Sequence, residues 1–138
     1  MREGFGRAGL PYNPPPDVVP NTRDALRVCE LARDRGLHTE LHDRLMDAYW
    51  AEATNIGDRD ELRRLAVDVG LDAAEVDETL ATGLHADRVA ASTQEAHSIG
   101  ITGIPGFLVD RRLVLTGAYP LDVFDQVWAQ LGIEPIAG

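Results

Sequence analysis

The sequence predicts an α+β chain that is mostly helical, and three observations carry that expectation. Apolar residues recur at helical spacing from Asn21 to Ile99. After Gly100 the pattern changes to two short apolar runs around Asp110-Arg111-Arg112, the signature of a β-hairpin. A last helical stripe then follows Pro120. Residues 1–20 accordingly read as an extended Gly/Pro-rich arm, 21–99 as a helical block, and 100–138 as a loop, hairpin and closing helix.

Each element has its own signal. The arm contains Pro14-Pro15-Pro16 and several glycines, and gives no reason to expect regular structure. Asn21 or Thr22 can cap a first helix that Gly36 ends. Leu41, Leu45, Ala48, Tyr49 and Glu52 mark a second, stopped by Asn55-Ile56-Gly57. Asp58 or Asp60 opens a third, whose stripe is Leu62, Leu65, Ala66 and Val69 before Gly70. Asp72-Ala73-Ala74-Glu75 is a capping-box pattern, with Leu71 and Val76 placed to staple it, and this fourth helix ends near Gly83. A fifth runs from about His85 to Ile99 with Ala86, Val89, Ala90, Thr93, Ala96 and His97 inward or at the boundary. Phe107-Leu108-Val109 and Leu113-Val114-Leu115 form the hairpin strands. Pro120 suits the first position of the last helix, whose stripe is Leu121, Phe124, Val127, Trp128 and Leu131 before Gly132 and Pro135.

Composition removes several function classes. A chain of 138 residues suits one domain. With 23 acidic and 13 basic residues its formal charge is -10, which excludes a uniform phosphate-binding surface and so a nucleic-acid partner of that kind. The acidity reads as solubility. No apolar stretch follows Met1 and no membrane span is present, so a cytoplasmic protein without a membrane partner is expected.

One cysteine, Cys29, excludes a disulfide framework, an intramolecular Cys-x-x-Cys and thiolate zinc sites. It shares a helical face with Ala25, Val28 and Ala32, so it reads as a small core residue. His38 and His42 are spaced i, i+4 but lack a third ligand at a known spacing, and read as two histidines on a solvated face. His85 and His97 are boundary residues, while Trp50, Trp128 and Tyr49 fit packing stripes. No catalytic triad, phosphate loop, metal site or cofactor site is expected.

Two features remain. A two-stranded hairpin is marginal in water and leaves an open edge. Either helices cover it or another chain supplies strands, and a homodimer through the open sheet edge is one form of the second. The other feature is Gly103-Ile104-Pro105-Gly106 at the mouth of the first strand. Proline is tolerated at a strand start, and X-Pro bonds alone adopt cis at low cost. The local sequence by itself favours trans. A cis bond would leave the backbone before the strand free for an extended peptide or a thiol.

From about Gly9 to Leu131 the chain resembles the thioredoxin-like DsbA family, most closely its cytosolic FrnE-like branch. The resemblance rests on Asn21-Thr22, Leu45-Met46-Asp47-Ala48-Tyr49-Trp50, Asn55-Ile56-Gly57-Asp58, Ala96 to Gly100, Gly103-Ile104-Pro105-x-Phe107 and Gly117-Ala118-Tyr119-Pro120, in that order. It implies a thioredoxin fold in which 21–99 is a helical insertion and 100–138 the C-terminal β-hairpin-helix portion. It implies that Pro105 is the family's cis-proline and that Gly103, Ile104 and Pro105 bind substrate. Family members carry a reactive Cys-x-x-Cys on a helix after the first strand, and no residue here matches it. The resemblance therefore implies a thiol-disulfide oxidoreductase lacking its catalytic half, truncated and inactive alone, with no catalytic residue of its own. Gly106 stands where threonine is usual, an expected loosening of the loop, and Leu26 where histidine is common. Two other expectations are a fragment like the glutathione-dependent isomerases and kappa-class transferases, and a non-catalytic binding or assembly module using the open strand edge.

Overall fold

The computed structural model describes residues 2–14 and 19–134. Its order is α1 (Arg2–Arg7), α2 (Arg23–Asp34), α3 (His38–Trp50), α4 (Arg59–Asp68), α5 (Ala73–Thr82), α6 (Ala86–Ser98), β1 (Gly106–Val109), β2 (Leu113–Thr116) and α7 (Leu121–Leu131). The architecture is α+β and mostly helical, with one two-stranded antiparallel sheet among the described residues. The chain divides into two compact units, Met1–Ser92 and Thr93–Gly138, so the boundary falls inside α6 rather than after Ile99.

The first unit is built around the predicted stripes. Val28, Ala32, Leu41, Leu45, Leu62, Leu65, Ala66 and Val76 are buried together, contributed by α2, α3, α4 and α5. Asp58 caps α4 through the N–H groups of Asp60 and Glu61, and Asp72 caps α5 through those of Ala74 and Glu75. The box at α5 closes on one side only. The Glu75 carboxylate turns to Arg35 instead, 3.0 Å from its Nε. Leu71 and Val76, the staple pair, are both buried.

Arg27 is the charged member of this core. It is 7% exposed, donates from Nε to the Leu84 carbonyl at 2.9 Å, and donates from the guanidinium end to the Thr79 carbonyl and to Asp24 at 2.7 Å. Thr79 lies in the last turn of α5, where backbone carbonyls have no helical partner. One guanidinium thus closes the end of α5 from α2.

Carboxylates of this unit are tied to arginines. Burial pushes the Asp24 carboxyl up, but hydrogen bonds from Arg59 and Arg27 outweigh it and hold the pKa below 3.8. A hydrogen bond from Arg88 does the same for Asp34, and one from Arg35 holds Glu75 below 4.5. Folded-state values below the unfolded ones mean stability that is fully present above the unfolded range and lost as pH falls through the folded values. Urea midpoints are expected to be level above about pH 5 and to drop progressively below pH 4. A midpoint unchanged down to pH 2 would contradict these pairs.

The N-terminal segment departs from the expected extended arm, because Arg2–Arg7 is helical. Phe5 packs at 5.0 Å from the Tyr12 ring and 5.4 Å from that of Trp50, and Asn13 donates its N–H to the Trp50 carbonyl at 2.8 Å. Aromatic burial against α3, invisible in the Gly/Pro composition, orders the segment. Pro15, Pro16 and Pro135 lie outside the described residues.

α6 departs as well. None of its residues is buried, and of the expected inward set only Val89 and Ala96 are even half-buried. In the second unit Pro120 is the N-cap of α7, one position before the first helical residue, and Leu121 is 82% exposed, so the α7 stripe begins at Val123 and Phe124. Phe107 and Phe124 meet edge to face at 5.0 Å, Phe124 and Trp128 lie at 6.2 Å, and Val109 and Val127 are buried.

Candidate peptide site at the Ile104-Pro105 loop

The loop before β1 is fixed at both ends by backbone hydrogen bonds. On its N-terminal side α6 closes in a Schellman motif: Gly100 at φ 90° lets its N–H reach the His97 carbonyl at 3.0 Å, and the Ile101 N–H reaches that of Ala96 at 2.9 Å. Only a residue tolerant of positive φ fits there, which explains the Ala96-to-Gly100 spacing. On its C-terminal side the Gly117 N–H donates to the Pro105 carbonyl at 2.8 Å, extending the β1–β2 ladder by one pair.

Between these anchors the Ile104-Pro105 peptide bond is cis, where the local sequence favours trans. Ile104 is 96% exposed. Among the described residues its N–H and carbonyl have no hydrogen-bond partner. Gly103 lies close to β2: a Cβ on it would stand 3.2 Å from Thr116 Cγ2. Gly103, Ile104 and Pro105 therefore sit together, with a peptide unit turned to solvent at the mouth of a strand.

Gly106 is tighter than the sequence implies. A Cβ there would approach Ile101 Cγ2 to 2.7 Å, so the residue that was expected to loosen the loop is the one that lets Ile101 pack under it. Ile101 is the site residue that sequence reasoning missed. Its signal is only positional, the residue following the helix-ending glycine. Along β1 a shallow groove of about 720 Å³ is lined by Phe107, Leu108, Phe124, Trp128 and Ile133, with Asp110 at one end.

Cys29 is far from being a reagent. It is 7% exposed, and burial followed by the neighbouring Glu30 charge pushes its thiol up to about 11. Native protein at pH 8 is expected to react with a thiol reagent at least a hundredfold more slowly than urea-unfolded protein. Equal rates would show an accessible thiolate. His38 and His42 stack at 6.2 Å on α3, His38 half-buried and His42 exposed. Leu26, in the position where histidine was anticipated, is exposed.

A glycine-flanked proline loop leading into a hairpin and a C-terminal helix, beside a block of helices, defines the class as a thioredoxin-like domain. Comparison with known proteins sharpens this. The family model described as DSBA-like thioredoxin domain matches residues 1–129, and the chain belongs to that family. It is 32% identical over 114 residues to the uncharacterized protein YwbO of Bacillus subtilis, a match covering 80% of this chain and 56% of that protein. It also superposes on the crystal structure of a probable DsbA oxidoreductase from Streptomyces coelicolor with a TM-score of 0.84 and 34% identity, covering 99% of this chain and 59% of that one. The chain thus spans less than two thirds of the length of either relative.

Proposed function

We propose that this chain forms the peptide-receiving part of a DsbA-type, FrnE-like thiol-disulfide oxidoreductase acting in the cytoplasm. The observation that carries the reading is the unpaired, solvent-facing backbone of Ile104 immediately before β1. An extended peptide can pair with that N–H and carbonyl in the manner of an added strand, while the exposed Ile104 side chain supplies apolar contact. Gly103 and Pro105 shape the approach: the first has no side chain to obstruct it, and the second donates no N–H.

Disulfide exchange begins with attack by a thiolate on a disulfide sulfur. The one thiol in these 138 residues is Cys29, buried and with its pKa raised to about 11. The reading therefore assigns these residues substrate binding and no step of electron transfer. Insulin reduction by dithiothreitol is expected to run at the uncatalysed rate when the protein is added, and acceleration above that rate would overturn the assignment. Binding is tested separately by titrating an extended peptide against ¹⁵N-labelled protein. Shifts should concentrate at Thr102 and Ile104, and undisturbed amides there would sink the site.

A further inference from the structure

The second unit holds a two-stranded sheet whose pairing leaves a self-complementary edge. The Gly117 N–H to Pro105 carbonyl bond marks 105/117 as a hydrogen-bonded pair. Alternation along an antiparallel ladder then makes 107/115 and 109/113 the pairs bonded inward. The N–H and carbonyl groups of Gly106 and Leu108 consequently point away from β2. Among the described residues no strand meets them.

We propose that this edge binds the same edge of a second copy of the chain, β1 against β1 in antiparallel sense, on a two-fold axis between facing Phe107 residues. Within the regular strand this register alone uses every outward group. Gly106 of each copy exchanges both bonds with Leu108 of the other, making four. Centring the axis on Leu108 instead would set Gly106 against Asp110, which at φ 50° has left the extended conformation. The axis then falls at a non-bonded pair, where strands approach closest and aromatic pairs contribute most. Phe107 already touches Phe124, which continues to Trp128, so pairing joins two aromatic rows across one four-stranded sheet. The outer edge of β2 is the poorer candidate: all four β2 residues are half-buried, whereas Phe107 and Leu108 are 38% and 40% exposed.

Charge selects the same place. The chain carries -10, so most self-contacts repel, but Ile104 to Val109 contains no ionisable side chain. In the proposed register the two Asp110 residues stand about 20 Å apart at 3.4 Å per residue, beyond the ~8 Å screening length of physiological salt. A second chain supplies the third and fourth strands that an isolated hairpin lacks. So short an edge belongs at the low end of interface sizes, and dissociation is expected in the micromolar range. Ile104 lies outside the four bonds, so this dimer and the peptide reading stand or fall separately.

Sedimentation equilibrium from roughly 10 to 500 µM, spanning weak association, should show the mass rising from one chain towards two. Leu108→Pro removes an outward N–H and leaves the β1–β2 bonds intact, and should hold the protein monomeric. Val114→Pro makes the same change on the outer edge of β2 and should leave the dimer. Amide exchange on the unaltered chain provides a reading that needs no variant: protection at Gly106 and Leu108 should rise with concentration while Val114 and Thr116 stay constant. A monomer throughout, or protection independent of concentration, or a dimer broken by Val114→Pro and not by Leu108→Pro, would overturn the proposal.

Discussion

Arg27→Met is expected to lower the unfolding free energy by about 3 kcal/mol, the cost of breaking one side of a buried charged network. Methionine fills much of the volume but cannot donate. The Thr79 and Leu84 carbonyls then lose their partner at the end of α5, and Asp24 keeps only Arg59, 2.8 Å away. Each orphaned buried group costs about 1–3 kcal/mol. Lysine should not rescue, because one ammonium cannot serve three acceptors that a planar fork reaches together. Urea denaturation followed by far-ultraviolet circular dichroism reads the effect, and a loss below about 1 kcal/mol would show that the network is dispensable.

Gly106→Thr, which installs the residue usual at this position in the resembled family, is expected to destabilise the second unit by about 2 kcal/mol, within the range for overpacking. The new Cβ would stand 2.7 Å from Ile101 Cγ2 and 3.4 Å from the Gly103 carbonyl. Ile101 is β-branched and yields little at χ1. Ile101→Ala alone should cost stability through lost packing, yet combined with Gly106→Thr it should recover most of the loss. Thermal unfolding of the two single variants and the double variant forms a cycle with a favourable coupling of about 1 kcal/mol or more. Additive losses would mean that the two side-chain positions do not compete.

The residues show which parts of this molecule a sequence discloses. Leu62, Leu65 and Ala66 repeat at helical spacing and Asp58 stands before them, so α4 is written locally, and its core face follows. Gly36, Gly70 and Gly132 end their helices for the same local reason as Gly100. The hairpin is legible from its paired apolar runs, and the proline loop from its glycines. α1 is not legible, because Phe5 is ordered by Tyr12 and Trp50, the latter a distant residue in α3. α6 misleads because an alanine-rich stripe looks inward whether or not anything covers it. The contact between Gly106 and Ile101 is a matter of tenths of an ångström in space, which no periodicity records. Arg27 hides for a related reason: an arginine on the flank of an apolar stripe looks solvated until the carbonyls of α5 arrive beside it.

The two tryptophans fall one to each compact unit, Trp50 in the first and Trp128 in the second. Replacing either by phenylalanine leaves a chain with one intrinsic fluorophore that reports on one unit alone. Emission from the Trp128-only and Trp50-only proteins, followed through the same denaturant series, would separate cooperative melting of the whole chain from sequential melting of its parts. Nature has in this respect already placed the dyes.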